Sequence, residues 1–576
     1  MATRGLFIIV GLAAACFLSL IVDISTLSTS VTTKTHIPVQ LLDADGKPIS
    51  PDDPNAQPYS PRKTCGTCHA YETISRGYHF QMGADRMSDD FCAKDGKPWI
   101  LSDGMTGKQF HMSYEWISRK KNSRESEIGM TTFRFAQTCG KCHPGGGLME
   151  LDRNGKRYDS YQTSNPEIAS SFDGDYYKAA WDKSGVLEVD CLICHKPDYS
   201  AEARNTQLDS GNLGWAATAG AGFAAVTGSV NTGETPGVVY DTAAFENGRV
   251  KINISRPTDR NCLFCHGEAE VKKRGHVWDG RNADIHTAAG LKCVTCHTAG
   301  LDHQILKGRS NEVTVRDDLD SDKLSCASCH DEGRLGARKP SHANIPSDHI
   351  SKIACVTCHI RETNATAVLA VDTTTGKTVG LATNRQAKKY GESLAWTPAY
   401  FRLRDGKIYS GNALLPVWWG NRVGSVVHPL TLAETGRAYE RAKDHIRDDD
   451  GDGKLEANTK AEIGAMLQAV GEILKGGRFD QNSPAYVKGN KVWELSSGKL
   501  IAKDHPQAAP LRWTFSHNVS PAKQAWGANG CADCHVENSK FFNSLVVVDP
   551  YDLNGKQVTV PMWRYTRLDK SVIKAK

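Results

Sequence analysis

The sequence carries one repeated pattern with clear chemical meaning, because sixteen of its 18 cysteines occur in eight copies of Cys-x-x-Cys-His. The cysteines are Cys65, Cys68, Cys139, Cys142, Cys191, Cys194, Cys262, Cys265, Cys293, Cys296, Cys326, Cys329, Cys355, Cys358, Cys531 and Cys534; the histidines are His69, His143, His195, His266, His297, His330, His359 and His535. Two thiols about one helical turn apart can reach both vinyl groups of one porphyrin, and the adjacent imidazole can bind its iron. Zinc sites and redox dithiols require no histidine after each cysteine pair. The pattern therefore predicts eight covalently attached haem c groups.

Each haem iron needs a sixth ligand or an open site, and twelve histidines lie outside the motifs. Five lie in apolar or glycine-flanked segments a short loop from a motif, and we expect them to be distal ligands: His79, His286, His303, His349 and His517. Four more are candidates for the remaining places: His111, His276, His342 and His428. We expect His36, His445 and His505 to be exposed to solvent.

The N-terminus has the form of an export signal, with Arg4 followed by the uncharged run from Gly5 to Val22. Because eighteen apolar residues are also close to the length that spans a bilayer, residues 1–24 are predicted to be a signal peptide or an uncleaved membrane anchor. We therefore expect a periplasmic or otherwise extracytoplasmic protein. The formal charge of +5 is spread along the chain without a basic block, which argues against nucleic acid as a partner.

The positions of the motifs suggest how the 576 residues are organised. Seven motifs lie between residues 65 and 359, so haems should supply much of the core, and we expect a mainly α fold with extensive irregular loops and few short strands. Helices are predicted near the motifs, at 174–183, 431–446 and 461–475, and a loop at 211–237. The predicted units are the N-terminal segment 1–24, a linker 25–61, a seven-haem region 62–365, a haem-free insertion 366–510 and a C-terminal region 511–576 with the eighth haem.

An acidic segment in the haem-free insertion resembles the start of a calcium-binding EF-hand loop. Asp448, Asp450 and Asp452 offer oxygen ligands at positions 1, 3 and 5, and Gly453 stands at position 6. Position 12 is Thr459 rather than the bidentate glutamate of such loops, although Glu456 or Glu462 could substitute. A structural calcium site and a solvated acidic turn therefore both remain open.

The arrangement of motifs resembles the octahaem tetrathionate reductase family over about residues 62–565, with seven motifs clustered, the eighth far downstream, and Cys-His-Pro-Gly-Gly-Gly at the second. In that family one haem is the active site, where a lysine amine replaces the distal histidine. An aspartate three residues before that lysine and a cysteine from between the first two motifs also line the pocket. The resemblance assigns these catalytic positions to Lys178, Asp175 and Cys92.

The residues themselves are compatible with these roles. Asp175 and Lys178 are one turn apart on a predicted helix, so both could face one haem, and burial beside a cationic metal favours the neutral amine that binds iron. Cys92 has no plausible disulfide partner, since the other spare cysteine, Cys16, lies in the apolar leader. A surface helix and an inert buried thiol are the alternatives that these residues leave open.

We therefore interpret the sequence as an exported octahaem reductase that passes electrons to the haem of Cys139, Cys142 and His143. Its substrate would be a small sulfur or nitrogen compound such as tetrathionate, nitrite or hydroxylamine, and its electron donor a partner cytochrome or a quinol-oxidising enzyme. The alternative is an electron conduit in which all eight irons have two histidine ligands and no substrate binds.

Overall fold

A computed structural model of the chain describes residues 34–81, 136–151, 155–160, 181–269, 284–308, 324–342, 345–362 and 398–574, apart from a few single residues, with short pieces at 100–102, 109–111, 319, 321, 370–372 and 377–378. The predicted N-terminal segment 1–24 lies outside the described residues, as do Cys92, Asp175, Lys178 and His276. None of the helices in the described part of the chain is both long and apolar enough to cross a membrane.

The helices are mostly short. The α-helices are α1 (Pro61–Cys65), α2 (Tyr71–Ile74), α3 (Tyr78–Gln81), α4 (Trp181–Ser184), α5 (Leu192–His195), α6 (Ala201–Asp209), α7 (Ala216–Gly220), α8 (Asp259–Ala269), α9 (Ile285–Ala288), α10 (Cys293–Cys296), α11 (Cys326–His330), α12 (Ser347–Lys352), α13 (Cys355–His359), α14 (Leu432–Ala442), α15 (Lys460–Ile473), α16 (Lys540–Asn543) and α17 (Met562–Tyr565). Single turns of 3-10 helix occupy Gly147–Met149, Leu213–Trp215, Val230–Thr232, Thr242–Ala244, Arg334–Gly336, Lys443–His445, Pro506–Ala508, Ala522–Gln524, Cys531–Asp533 and Lys570–Ile573.

Each motif forms about one helical turn. The backbone N–H of the motif histidine donates to the carbonyl of the first cysteine, at 2.8 Å for His143 and Cys139 and at 3.1 Å for His195 and Cys191. A local signal begins the helix α1 just before the first motif, where the Ser60 hydroxyl accepts the Lys63 N–H and Pro61 occupies the first position. The predicted helices next to the motifs are therefore present.

The strands are more numerous than the sequence suggested. They are β1 (Lys34–Thr35), β2 (Ile100–Ser102), β3 (Gln109–His111), β4 (Ala224–Thr227), β5 (Gly237–Tyr240), β6 (Phe245–Glu246), β7 (Arg249–Val250), β8 (Asn253–Ile254), β9 (Ala370–Asp372), β10 (Lys377–Thr378), β11 (Ala399–Arg402), β12 (Ile408–Val423), β13 (Val426–Pro429), β14 (Pro484–Lys488), β15 (Lys491–Ser496), β16 (Lys499–Asp504), β17 (Leu511–Thr514), β18 (Leu545–Asp549) and β19 (Val558–Pro561). Five antiparallel pairs stand apart from the main sheet: β1 with β8, β2 with β3, β4 with β5, β6 with β7, and β18 with β19.

Nine strands form one sheet around the 16-residue strand β12. The first half of β12 pairs with β11 and β17, its middle with β9, and its second half with β13 and β14, after which β15 and β16 extend the sheet. All residues of β12 from Ser410 to Asn421 are buried, as expected of a strand covered on both faces. The prediction of a mainly α fold with few short strands is therefore wrong, because a protein core and a large sheet occupy the stretch that carries no motif.

We call the described residues between 370 and 514 the sheet region, and those of 34–362 and 515–574 the motif region. The sheet region has a conventional hydrophobic core, in which Trp419 on β12 stacks on Tyr486 of β14 with ring centres 3.8 Å apart, and α15 contributes Met466 and Val470. The helices α14 and α15 confirm the helices predicted at 431–446 and 461–475. The loop predicted at 211–237 is wrong in part, since α7 and β4 lie within it.

Candidate haem-binding cavity

One continuous cavity of 3720 Å³ runs through the motif region. All sixteen motif cysteines and all eight motif histidines line it, and these cysteines form no disulfides. An ordinary small-molecule pocket holds about 300–1,000 Å³. The cavity is therefore large enough for several porphyrins, and it places every predicted attachment residue on its wall.

Seven motif histidines face a second histidine across this cavity. The ring-centre separations are 6.2 Å for His69 and His36, 6.1 Å for His195 and His303, 6.1 Å for His266 and His79, 6.2 Å for His297 and His517, 6.2 Å for His330 and His286, 6.3 Å for His359 and His342, and 5.8 Å for His535 and His349. Two imidazoles that bind one metal from opposite sides, each through a nitrogen at about 2 Å, have ring centres about 6 Å apart. The pairs therefore have the spacing that an iron between them requires.

Hydrogen bonds fix the tautomer of several of these histidines. Among the motif histidines, Nδ1 lies 3.0 Å from the Ser255 carbonyl for His195 and 2.9 Å from the Leu306 carbonyl for His297. A ring that donates its Nδ1 proton to a carbonyl keeps the Nε2 lone pair available to a metal. The Asp284 carboxylate is the acceptor at 2.8 Å for His286, whose pKa it raises by this hydrogen bond.

Burial lowers the pKa of the imidazoles of His195, His349 and His359. A lower pKa favours the neutral ring at physiological pH, and the neutral ring is the form that binds a metal. The donor set, the spacing of the pairs and the surrounding cavity thus fit haem c, with the cysteines holding the porphyrins and the histidines facing the irons.

Contacts between cysteines of different motifs give the spatial order of the sites. The cysteines of different motifs that lie near each other are Cys65 and Cys191, Cys142 and Cys265, Cys262 and Cys293, Cys326 and Cys355, Cys194 and Cys262, Cys296 and Cys329, and Cys358 and Cys534. The first, third, fourth, fifth, sixth, seventh and eighth motifs therefore form one row. The second motif joins the row from the side, at the fourth.

The backbone around the second motif is held by the segment 181–190. Leu187 contributes a carbonyl that accepts the Gly146 N–H at 2.8 Å, and the Asp190 N–H donates to the Pro144 carbonyl at 2.8 Å. Gly145 has a φ of +98°, and a Cβ there would lie 2.0 Å from the Glu188 carbonyl oxygen, so only glycine fits this close approach. This segment begins with Trp181, which is fully buried at the start of α4.

A buried arginine also clamps this motif. Arg204 on α6 is fully buried, and its guanidinium donates to the carbonyls of Gly140 and His143. The Asp190 carboxylate lies 3.5 Å from the Arg204 Nε and compensates the buried charge. The second motif is thereby fixed to the residue that precedes the third motif.

Most of the histidines proposed as distal ligands line the cavity opposite a motif histidine: His79, His286, His303, His342, His349 and His517. His428 lies on β13 in the sheet region, with its ring 6.0 Å from that of Phe479. The backbone of His111 ends β3, and its side chain lies outside the described atoms, as does His276. Their ligand roles stay predictions, as do those of Lys178, Asp175 and Cys92.

Sequence reasoning missed His36, which we expected to be exposed. Its ring is partly buried and faces His69, and its Nδ1 lies 2.8 Å from the Ile37 carbonyl. The apolar residues Val39 and Leu41, which follow it and lead the chain into a buried cluster, were the available signal. His445 is exposed as expected, whereas the ring of His505 is partly buried and bonded to the Ser425 carbonyl at 3.0 Å.

The acidic loop is stabilised by its own backbone. The Asp448 carboxylate accepts the N–H groups of Gly451 and Gly453 at 2.7 and 2.8 Å, and Glu462 caps α15 together with Thr459. Within the described residues no cluster of three or more His, Cys, Asp or Glu side chains could hold a metal ion. Calcium binding stays a prediction, since Asp450 and Asp452 lie outside the described residues.

The motifs and the cavity define this chain as a multihaem c-type cytochrome, which transfers electrons through covalently bound haem. A family model described as outer membrane cytochrome MtrC/MtrF-like, domains II/IV, matches residues 177–343. The chain is also similar to an octahaem cytochrome c from Shewanella oneidensis, at 16% identity and a TM-score of 0.37, over 83% of this chain and 90% of that one. No curated protein matches the sequence.

Proposed function

We propose that the protein is an exported octahaem cytochrome that carries electrons along a row of haems with two histidine ligands. The observation that carries this proposal is the set of seven histidine pairs with ring centres 5.8–6.3 Å apart along one cavity. Each bound haem would supply one-electron chemistry through its ferric and ferrous states. The chain's own residues set the route, because the contacting cysteines bring neighbouring sites together from the first motif to the eighth.

We further propose that the second motif is a reductase site at which Lys178 is the distal ligand. Its location at the side of the row supports this role, since electrons could reach it from the fourth motif through the contact of Cys142 with Cys265. The segment that starts at Trp181, three residues after Lys178, runs along the backbone of the second motif. An extended residue spans about 3.5 Å, so chain length alone limits the Cα of Lys178 to about 11 Å from that of Trp181.

At this site Lys178 would yield its place to a small sulfur or nitrogen compound such as tetrathionate, nitrite or hydroxylamine. Asp175, one turn earlier on the predicted helix, would hold or move a proton at its carboxylate, and the lysine ammonium would stabilise anionic charge. Cys92 would offer a thiol to a sulfur-containing substrate. Electrons would come from a partner cytochrome or a quinol-oxidising enzyme, and the N-terminal segment would direct the chain out of the cytoplasm or anchor it at a membrane.

The second candidate is an electron conduit without a substrate site. The seven histidine pairs do not distinguish the two candidates, because a reductase also needs a row of haems that carries electrons to its active site. Substituting Lys178→Met separates the two candidates, with Lys183→Met on the exposed face of α4 as the matched control. If the second motif is a reductase site, K178M changes the electron paramagnetic resonance signal of one haem and the binding of nitrite or cyanide, and K183M changes neither.

The spin states and ligand binding of the purified, unmodified protein distinguish the same two candidates independently. A conduit has only low-spin signals, binds neither nitrite nor cyanide, and keeps its spectrum in K178M. That combination of results would reject the reductase and retain the electron-transfer function. Substrate-dependent oxidation of the reduced protein, lost in K178M, would reject the conduit.

A further inference from the structure

Two carboxyl groups are buried side by side where the chain passes between the first three motifs. Glu150 is fully buried just after the second motif, and Glu188 is 7% exposed three residues before Cys191. Arg157 bridges them, with its Nη1 donating to Oε1 of Glu188 and lying 3.4 Å from Oε1 of Glu150. Arg62 joins them a second time, because its Nε donates to Glu150 at 2.8 Å and its backbone N–H to Glu188 at 2.9 Å.

The cluster around this pair has more acids than bases. The charged and titratable groups that contact the pair or its two arginines come from α1, α2 and the segments 155–160 and 181–190: Arg62, Tyr71, Glu72, Arg157 and Asp159. Counting both buried carboxyls, four carboxyl groups share two guanidinium groups. A proton on one buried carboxyl would relieve the repulsion between them.

A tyrosine connects Glu150 with the haem cavity. Tyr71 lines the cavity, and its hydroxyl donates to Oε2 of Glu150 at 3.4 Å while it accepts the Val189 N–H at 2.9 Å. Val189 lines the cavity as well. In a buried site of low dielectric constant, charge added to the cavity acts on Glu150 with little screening by water.

We propose that Glu150 and Glu188 form a proton-binding site whose occupancy follows the redox state of the haems at the first three motifs. An electron from a reductant such as dithionite converts one ferric centre to ferrous, and one proton from water binds to Oε of Glu150. Oxidation reverses both transfers, so charge in this part of the protein stays balanced. The proposal requires haem at these motifs but does not require that a substrate is reduced.

The acidity of the pair supports this role. Burial, together with the neighbouring Glu188, raises the pKa of Glu150 to about 7, against the hydrogen bond from Arg62 and the positive charges of Arg62 and Arg157. An added electron raises the pKa again, because negative charge in the cavity favours the protonated carboxyl. Between the pKa of the oxidised protein and that of the reduced protein, rising pH therefore lowers the reduction potential of the coupled haems.

The test is a spectroelectrochemical titration of the full haem-loaded protein without substrate, from about pH 6 to about pH 8. Between the pKa values of the oxidised and reduced protein, the potential of the affected haem should fall by up to about 59 mV for each tenfold fall in proton activity, and outside this range it should not depend on pH. Glu150→Gln should abolish the slope. Glu188→Gln should move the pH range in which the potential depends on pH to lower pH, because this substitution removes the negative charge that raises the pKa of Glu150.

Glu462→Gln is the matched control, since Glu462 is a buried carboxyl on α15 in the sheet region and glutamine can also cap a helix. It should leave the slope unchanged. Infrared difference spectra of the unmodified protein decide the question if E150Q does not fold: reduction should produce the band of a protonated carboxyl. A slope that persists in E150Q, a potential that does not depend on pH, or a reduction spectrum without that band would each overturn the proposal.

Discussion

The motif region and the sheet region differ in how far protein side chains fill their interiors. In the sheet region, α15 has fourteen residues, of which Ile463, Met466, Leu467 and Val470 are among those fully or almost fully buried. In the motif region, α9, α10, α11 and α12 have four to six residues each, and none of their side chains is buried by protein. Isolated helices of this length are unstable in water.

The difference indicates that the part of the motif region around α9 to α12 needs cofactors as its interior, whereas the sheet region folds on amino-acid side chains, as do the first motifs through the cluster of Leu41, Tyr199 and Phe223. The cavity of 3720 Å³ lies where aliphatic side chains would otherwise be packed. The two regions meet where β11 and the start of β12 pack beside the seventh and eighth motifs, in a cluster that includes Tyr400 and Phe541. Four predictions test this contrast.

Preventing haem attachment should have the largest effect, because it removes the interior around α9 to α12 and leaves the sheet core intact. We expect protein made in cells that lack the attachment machinery to lose the segments around α9 to α12 to a protease, while a fragment that contains β12 to β16 with α14 and α15 survives. Limited proteolysis with mass spectrometry identifies the fragments. Protection of α9 to α12 equal to that of the sheet region would show that these helices need no haem to stay folded.

Removing a large side chain from the sheet core should destabilise that region and leave the haems in place. Trp419→Ala opens a cavity beside Tyr486, and a loss of about 3–5 kcal/mol in the free energy of unfolding is expected. Denaturant unfolding followed by circular dichroism measures this loss, with the partly exposed Val426→Ala as control. The haem absorption spectrum should be unchanged, and a shift of it at low denaturant would indicate that the two regions unfold together.

Removing one distal histidine should affect one haem only. His517→Ala takes away the ring that faces His297, so one low-spin centre is expected to become high-spin while the far-ultraviolet spectrum stays constant. Electron paramagnetic resonance measures the change. His445→Ala, at an exposed position outside the cavity, should leave all signals intact. An unchanged spectrum in H517A would contradict the pairing.

The smallest expected effect is a shift in one potential. The Asp284 carboxylate accepts the Nδ1 proton of His286. This hydrogen bond makes the imidazole a stronger electron-pair donor to iron, which would stabilise the ferric state of a haem held at His330. Asp284→Asn should therefore raise the potential of that haem in a redox titration. Asp331→Asn removes an exposed carboxylate next to His330 and should change the potential less. Equal shifts in the two variants would show that charge, rather than the hydrogen bond, sets the potential.

The sheet shows where prediction from the sequence failed. The segment Ala413–Trp419 is an almost unbroken apolar run with Pro416 in its middle, so it lacks the alternation that marks a half-exposed strand. Both faces of β12 are covered, and partners as distant as β9 and β17 pair with it. In contrast, α14 and α15 were predictable, because amphipathic spacing and a capping box are local signals.

The sequence by itself determined the eight Cys-x-x-Cys-His motifs and the haem attachment they predict, because the two thiols and the imidazole of each motif lie within five consecutive residues and one helical turn. Only the tertiary structure decided which histidine faces which motif, as for His36 with His69 or His297 with His517, and that the second motif adjoins the fourth. These pairings join residues far apart in the chain. They depend on how all the segments around the cavity pack together, which local spacing does not encode.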